Sequence, residues 1–371
     1  MKEKIFVALD IGETTVKAVA MNEYNSKLTV IASTQVKTSG ITNGDITNIN
    51  DLSISIKEAL SNIGTQDENI PLDKILLVLP STRMNVYRKK VALDIVARDK
   101  IITSKDLREL RIGFSKTDIS SEEIIVNITP ICYRIDDGEP LHKDISGMSG
   151  NKIELEANII TLPNFVARSY VDAVQNMGYE IIDAVVSPLA LSSILVDKES
   201  SNSGRVIVDF GGKNTLLSYF QNGMLIGTSL IKFGSNLITS EIVKQFDLSY
   251  DLSDKLKIEY GNANAQMSEQ IPIYSDEARG LVISEKDLSD VISKRLDEYY
   301  IELNKQTALL TRHSLYQMTI IGGGSHLNSL DDQVKIRLGK EAKTYISTFV
   351  GARSNAFLPC IGIIHYYVNR R

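Results

Sequence analysis

The chain has 371 residues, of which 43% are hydrophobic and 23% are charged, and its formal net charge is −5. This composition is ordinary for a globular protein, the length favours two domains, and no apolar run approaches the ~18 residues that a membrane helix needs. The acidic net charge argues against nucleic-acid binding, and the scattered histidines and two isolated cysteines argue against structural zinc and a disulfide framework.

The beginning of the chain predicts a strand, a turn of small residues and a second strand. Residues 5–10 form the apolar strand, residues 11–15 the turn, and residues 16–21 the next strand, which is followed by a hairpin turn at Asn25-Ser26. A helix with one apolar face is then expected over residues 49–63, and a buried strand over 75–79.

The pattern changes between residues 81 and 160. A helix is predicted near 104–114, and strands over 124–135 and 153–159, the last with alternating apolar and acidic or polar residues. We interpret this stretch as a small α+β insertion. It is followed by a helix from 164 to 178, a strand over 181–187, a short helix over 189–196 and a polar loop over 197–204.

The second half of the chain repeats the pattern of the first. An apolar strand over 205–209 leads into a glycine-rich turn, a strand over 216–220 and a hairpin turn at Asn222-Gly223. Helices are expected over 237–246, 251–260 and 286–310, and a strand over 318–321 enters a run of three glycines before another helix. Two such copies predict two related domains that face one another.

A carboxylate ends the first strand of each repeat and is followed by glycine. Asp10 precedes Gly12, and Asp209 precedes Gly211. Such a carboxylate can hold Mg²⁺ through water, and the N–H and hydroxyl groups of the following turn can cradle phosphate. One copy alone is more often an ordinary turn, but two copies and a third glycine loop favour a nucleotide site. The spacing fits neither a P-loop nor a Rossmann fingerprint.

This three-part pattern resembles the superfamily of actin, sugar kinases and chaperone ATPases. Segment 233–239 is similar to the second connecting segment of that superfamily, and 252–261 to its acidic-x-x-Lys helix. Within the superfamily the chain resembles FtsA, the bacterial actin homologue of cell division. Segments 100–107, 129–138 and 145–154 of the insertion carry this resemblance, which extends from Ile5 to about Tyr367.

The resemblance implies an α/β fold, an actin-like two-domain ATPase with mixed sheets flanked by helices and an FtsA-type α+β insertion. The expected first domain comprises residues 1–80 and 162–197, and the insertion 81–161. The second domain is expected over 198–335, with a smaller subdomain of about 236–300, and residues 336–371 return to the first domain.

The resemblance also implies that ATP or ADP binds with Mg²⁺ between the domains. Asp10 and Asp209 would hold the metal through water. The expected nucleotide-binding residues are Gly12, Glu13, Thr14, Thr15 and Lys17 on one side, Gly211, Gly212, Lys213 and Asn214 on the other, and Gly234, Ser235, Asp254, Lys257, Gly323, Gly324 and Ser325 around the connecting segment and nucleoside.

Two departures from the family pattern bear on catalysis. Lys213 and Asn214 stand where the pattern is closer to Gly-Thr, and a left-handed conformation there would cost a lysine about 1–2 kcal/mol. Ser187 stands where a glutamate would activate the attacking water, a role that serine fills poorly. We therefore expect slow hydrolysis or none; no catalytic residue is assigned, although Asp209 could assist.

The implied partners are those of a division protein at the inner face of the membrane. They are the C-terminal tail of FtsZ at Lys294, Arg295 and Glu298, further copies of the chain in a filament, and later division proteins through residues 81–161. FtsA continues beyond the position of Arg371 to an amphipathic helix, whereas 361–371 is typical of a core helix. The membrane would therefore be reached indirectly or through a helix absent from this chain.

Three alternatives share some of these features. A PilM-like cytoplasmic platform of pilus assembly would have the same fold but another partner, and the Gly147-Met148-Ser149-Gly150 insertion argues against it. A sugar or acetate-type kinase would need a catalytic aspartate and a substrate pocket between the domains. A scaffold without nucleotide is suggested by Ser187 and Lys213-Asn214.

Overall fold

The structure is a computed structural model that describes residues 4–196 and 204–370. The predicted polar loop 197–204 lies, except for Gly204, outside the described residues. The elements up to residue 196 are β1 (Lys4–Ile11), β2 (Thr15–Tyr24), β3 (Lys27–Lys37), β4 (Ile41–Thr42), β5 (Asp45–Ile46), α1 (Ile49–Gln66), β6 (Lys74–Leu79), β7 (Asn85–Asp94), α2 (Ser104–Ile112), β8 (Glu123–Ile135), β9 (Lys152–Pro163), α3 (Asn164–Gln175), β10 (Glu180–Val186) and α4 (Ser187–Leu195).

The elements from residue 204 onward continue this numbering. They are β11 (Gly204–Phe210), β12 (Thr215–Gln221), β13 (Met224–Ile231), α5 (Ser235–Phe246), α6 (Tyr250–Tyr260), β14 (Pro272–Asp276), β15 (Leu281–Ser284), α7 (Glu285–Thr311), β16 (Tyr316–Ile321), α8 (Leu330–Leu338), β17 (Ala342–Thr344) and α9 (Leu358–Val368). Short 3₁₀ helices cover Gly113–Lys116, Ala265–Met267, Gly323–His326 and Asn355–Phe357.

Two five-stranded sheets have the same topology. Their strand orders are β3-β2-β1-β6-β10 and β13-β12-β11-β16-β17. In each sheet the first three strands pair antiparallel as a meander, the fourth strand pairs parallel with the central strand, and the fifth pairs parallel with the fourth. The repeat predicted from the sequence is therefore present in the strand connections, and the shared topology places the ends of β1 and β11 in equivalent positions.

The two hairpin turns explain the alignment of the repeats. Asn25 and Ser26 have φ of 50° and 61°, and Asn222 and Gly223 have φ of 52° and 74°. Two successive left-handed residues match the right-handed twist of the flanking strands, which is why such turns favour Asn and Gly. Both turns lie where the sequence predicts them.

The last helix completes the core of the first sheet. Leu358, Ile361 and Ile364 of α9 are fully buried in the hydrophobic cluster that contains β1, β2 and β6. A Cβ atom on Gly362 would lie 2.5 Å from the carbonyl oxygen of Ala190, so α4 and α9 cross in direct backbone contact. The prediction that this segment is a core helix is confirmed. No helix of the described ranges has the length and apolar character that a membrane crossing requires.

The insertion forms a three-stranded antiparallel sheet in the order β7-β9-β8. Ile153, Leu155 and Ile159 of β9 point into a small core that α2 covers. Helix α2 starts with a reciprocal capping box between Thr103 and Asp106, which satisfies backbone donors at its N-terminus. The sequence analysis missed β7, because half of this edge strand is exposed and its Arg-Lys-Lys run resembles a polar loop.

Candidate functional site

The predicted metal ligand Asp10 forms an ion pair at the end of β1. Asp10 lies opposite Lys17 in the β1–β2 register, and Lys17 Nζ donates to Asp10 Oδ2 at 2.9 Å. Both side chains are mostly buried, with 13% and 15% of their surfaces exposed. Burial disfavours the ammonium, but the charge and hydrogen bond of Asp10 hold the pKa of Lys17 above its ordinary value. Lys17 is therefore paired with Asp10 in this structure, whereas the resemblance implied a contact between Lys17 and phosphate.

Asp209 holds the equivalent position in the second sheet, without an equivalent lysine. Its partner in the β11–β12 register is Leu216. Burial raises the pKa of Asp209 to about 6, while Lys17 opposes the shift and the negative charge of Asp10 adds to it. The cluster of Asp10, Lys17 and Asp209 therefore carries an excess of carboxylate.

The donor chemistry of this cluster fits Mg²⁺. Oxygen ligands and a partly hydrated shell shared with phosphate are what Mg²⁺ prefers. Within residues 4–196 and 204–370, no group of three or more His, Cys, Asp or Glu side chains could hold a metal ion by itself. A magnesium ion here would accordingly be held by Asp10 and Asp209 through water and by phosphate oxygens.

The second glycine turn is fixed against the start of α5. The backbone N–H groups of Ser235 and Asn236 donate to the carbonyl oxygens of Gly211 and Gly212 at 2.9 and 2.8 Å. A Cβ atom on Gly234 would lie 2.3 Å from the oxygen of Gly212, so this contact requires glycine. Lys213 is not among the residues with a left-handed φ, and the strain considered for a lysine there does not arise.

The two glycine turns meet across the cleft between the sheets. A Cβ atom on Gly212 would lie 2.7 Å from Thr14 Cγ2. The carboxylate of Glu13 accepts hydrogen bonds from Lys213 Nζ at 3.0 Å and Asn214 Nδ2 at 3.4 Å. Gly12 and Thr15 close the first turn through a backbone hydrogen bond of 3.1 Å. The predicted phosphate-binding residues of both halves are thus brought together.

A cavity of about 700 Å³ opens beside these turns. Its lining includes four predicted site residues, namely Glu13, Gly212, Lys213 and Asn214. Five further polar residues of the lining were not predicted from the sequence, namely Asn43, Thr82, Arg83, Lys232 and Ser240, whereas Asn236 belongs to the connecting segment 233–239 identified there. A signal for Arg83 existed, because β6 runs parallel to β1 and the segments that follow parallel neighbours emerge at the same edge.

The predicted nucleoside residues Asp254 and Lys257 join α6 to α5. Lys257 Nζ donates to Asp254 Oδ1 at 2.7 Å, to Thr239 Oγ1 at 2.7 Å and to the carbonyl oxygen of Ser235 at 3.3 Å. Only 8% of Lys257 is exposed. This network places both residues beside the start of α5, but neither lines the cavity at the glycine turns.

The third glycine loop lies next to Asp209. Gly322 has φ 87° and ψ 171°, and a Cβ atom there would lie 2.5 Å from Asp209 Oδ1. Gly323 faces open space, whereas Gly324 packs on the ring of Phe210. Ser325 Oγ donates to the oxygen of Gly322 and accepts from Asn355 Nδ2 at 2.9 Å. The loop therefore connects β11, β16 and the C-terminal segment.

Ser187 is the first residue of α4. Its backbone N–H donates to Ser81 Oγ at 3.0 Å, and its own hydroxyl is buried without a hydrogen-bond partner among the described residues. Ser81 is adjacent in sequence to Thr82, which lines the cavity, so the hydrogen bond to Ser81 places Ser187 at the edge of the site. Among the described residues, no carboxylate is hydrogen-bonded to the Ser187 hydroxyl, and no catalytic residue is assigned.

The predicted partner-binding residues lie on α7. Lys294 and Glu298 are exposed, as expected for a surface that meets a partner. Arg295 differs from the prediction of a solvent face, since only 23% of its side chain is exposed and its guanidinium lies 5.3 Å from the ring centre of Phe233. Arg295 also pairs with Glu298, so this arginine supports the connecting segment before Gly234.

A family model described as "Cell division protein FtsA" matches residues 206–362. The cell division protein FtsA of Enterococcus hirae is 26% identical over 376 aligned residues, which cover 99% of this chain and 84% of that protein. The chain is similar to FtsA over nearly its whole length. This similarity confirms the predicted resemblance.

Solved structures show that this chain has the actin-like ATPase fold. The PilM–PilN type IV pilus biogenesis complex superposes with a TM-score of 0.66 at 15% identity, covering 96% of this chain and 97% of that one. MreB5 of Spiroplasma citri bound to AMPPNP superposes with a TM-score of 0.54 at 14% identity, covering 99% and 97%. At these identities the likeness concerns the fold alone, and the predicted fold class is confirmed.

Proposed function

We propose that this chain is an FtsA-like cell division protein that binds Mg-ATP or Mg-ADP between its two sheets and links FtsZ to the division machinery. The observation that carries the nucleotide proposal is the meeting of the two glycine turns. Thr14 of the first half and Gly212 of the second are in contact, and Asp10 and Asp209 lie in one charged cluster below them. The AMPPNP-bound MreB5 of similar fold supports it.

Different groups of residues would bind the phosphates, the magnesium ion and the nucleoside. Turn residues 12–15 and 211–214 offer backbone N–H groups, hydroxyls and amides to phosphate from opposite sides. Mg²⁺ would supply charge neutralisation at the phosphates when bound, and Asp10 and Asp209 would hold its water shell. Lys257, Asp254 and the loop of Gly323, Gly324 and Ser325 would seat the nucleoside. With Ser187 in place of an acid, hydrolysis is expected to be slow or absent.

Nucleotide in this account acts as a link between the two halves. A ligand that binds only the closed arrangement shifts the population toward it. Closed copies would stack head to tail, since heterologous contacts that do not close on themselves produce filaments. A filament at the inner face of the membrane presents many FtsZ-tail sites together, and avidity strengthens a weak single contact. Later division proteins would bind through residues 81–161.

The FtsZ proposal predicts saturable binding of the C-terminal tail peptide of FtsZ from the same organism. Replacing both Lys294 and Glu298 by alanine is expected to weaken binding about tenfold, because interface contacts of this kind contribute about 1–2 kcal/mol. Fluorescence anisotropy of the labelled peptide against the full chain, with and without Mg-ATP, measures it. Both residues are exposed, and Arg295 keeps its contact with the ring of Phe233 when its partner Glu298 is removed, so the double variant should fold.

A matched control comes from the same helix. Glu302 and Lys305 form a pair with Oε2 and Nζ 3.5 Å apart and with 38% and 63% of their side chains exposed. Replacing both by alanine leaves the net charge unchanged, as in the test variant, and also removes the hydrogen bond from Gln306 Nε2 to Glu302. This control should bind the peptide like the original chain. Equal weakening by both double variants would contradict the assignment to Lys294 and Glu298. Absence of binding at millimolar peptide would overturn the FtsZ link and favour a PilM-like platform, whose fold is similar.

A further inference from the structure

One side chain of the first half is bonded to both unusual residues of the second glycine turn. Glu13 accepts from Lys213 Nζ at 3.0 Å and from Asn214 Nδ2 at 3.4 Å, across the cleft between the sheets. Lys213 and Asn214 are the positions at which this chain departs from the Gly-Thr of the family pattern. The two departures therefore share one contact, with a carboxylate from the opposite half.

Glu13 is held in place by its own half. The backbone N–H of Asn43, in the turn between β4 and β5, donates to Glu13 Oε1 at 2.6 Å. That turn is fixed in its own right, because Arg83 pairs with Asp45 at 2.6 Å and Tyr170 Oη donates to the oxygen of Gly44 at 3.2 Å. Only 11% of the Glu13 side chain is exposed, so its charge depends on these partners rather than on water.

A second pair crosses the cleft at its surface and gives a contrast. Lys37 Nζ of β3 lies 3.2 Å from Asp251 Oδ1 of α6, but the two side chains are 87% and 85% exposed. Exposed pairs contribute little, because water and salt screen them. The mostly buried carboxylate of Glu13 is screened much less, and leaving it without Lys213 and Asn214 would be costly.

We propose that Glu13, Lys213 and Asn214 form a clasp that holds the two halves closed without nucleotide. The carboxylate of Glu13 is an internal anion for the same cation and amide that a phosphate would attract. A nucleotide phosphate that engaged Lys213 and Asn214 would take them from Glu13, and in this respect the inference rests on the proposed nucleotide site. Closure itself would then depend on Glu13 in the free chain and on phosphate in the complex.

Double electron–electron resonance between spin labels on the two halves tests the clasp. Lys57→Cys on α1 and Lys244→Cys on α5 provide exposed label sites on opposite halves, and the native Cys132 and Cys360 are buried. Distances are measured on the full chain without nucleotide and with Mg-ATP. Glu13→Gln keeps an acceptor for the N–H of Asn43 and removes the charge, Lys213→Met removes the cation, and Lys37→Met is the matched control.

The expected result without nucleotide is a short, narrow distance distribution for the original chain and for Lys37→Met. Glu13→Gln and Lys213→Met should raise the open population about tenfold or more, the factor that one charge-assisted contact of ordinary strength represents. Combining both changes should add little beyond either one, since both remove the same contact.

Two outcomes would overturn the clasp. One is a free original chain that is as open as Glu13→Gln, and the other is a Glu13→Gln or Lys213→Met variant that stays as closed as the original chain. Distances measured with Mg-ATP test the nucleotide site separately from the clasp. If Mg-ATP closes Glu13→Gln, which keeps Lys213 and Asn214, both proposals hold, whereas a Glu13→Gln variant that opens without nucleotide and stays open with Mg-ATP keeps the clasp and contradicts the nucleotide site.

Discussion

Replacing Gly322 by alanine is expected to destabilise the folded chain by about 4 kcal/mol. Its φ of 87° and ψ of 171° lie in a region that only glycine adopts readily. The added methyl group would also lie 2.5 Å from Asp209 Oδ1 and 2.6 Å from the carbonyl oxygen of Phe210, and the backbone oxygen cannot rotate away. Strain and overlap therefore act together at this position.

Gly323 provides the matched control for that substitution. No atom lies within 4 Å of a Cβ atom built on Gly323, and its backbone is not left-handed. Gly323→Ala is expected to change the free energy of unfolding by no more than about 0.5 kcal/mol. Urea unfolding followed by circular dichroism measures both variants. Equal stability of the two would show that the loop does not hold Gly322 in the conformation described.

Replacing Asp209 by asparagine is expected to stabilise the nucleotide-free chain at neutral pH. The raised pKa of about 6 means that the folded chain resists ionisation of this carboxyl, whereas the unfolded chain ionises it near the ordinary value of 3.8. Stability is therefore lost as pH rises from about 4 to about 6, and at pH 8 the penalty reaches at most about 3 kcal/mol. Asparagine stays neutral and escapes this penalty.

Urea unfolding at pH 5 and pH 8 measures the effect of Asp209→Asn. The gain in the free energy of unfolding should be larger at pH 8 than at pH 5 by about 1 kcal/mol. Asp10→Asn is the contrasting variant, since it leaves the mostly buried Lys17 without its partner and should destabilise the chain by about 3 kcal/mol. A gain for Asp209→Asn that is independent of pH, or a loss at pH 8, would contradict the described electrostatics.

Much of the fold follows from local patterns in the sequence. The turns Asn25-Ser26 and Asn222-Gly223 mark equivalent hairpins because few residues tolerate two successive positive φ values. The alternating residues of β9 identify the face that packs on α2. Strand β7 was not predictable in the same way, because its polar face is supported by partners distant in sequence, such as Glu156 beside Arg88.

The site was predicted where backbone chemistry defines it and missed where side chains from distant segments meet. Asp10, Asp209 and the glycine turns have local signatures, and the structure brings both turns together. The contact of Glu13 with Lys213 joins residues 200 positions apart, and no local pattern gives such a distance. Arg295 was placed on a solvent face because helical spacing cannot show that the ring of Phe233 lies beneath it.

The most direct test of the nucleotide site is calorimetric titration of Mg-ATP into the full chain and into Gly323→Val. Gly323 faces open space beside the proposed nucleoside position, so valine should occupy that space and leave the fold intact. We expect saturable binding to the original chain and a loss of at least about tenfold in affinity for the variant, because the valine side chain displaces a nucleoside contact. No binding to the original chain, or equal binding to both, would contradict a nucleotide held between the two sheets.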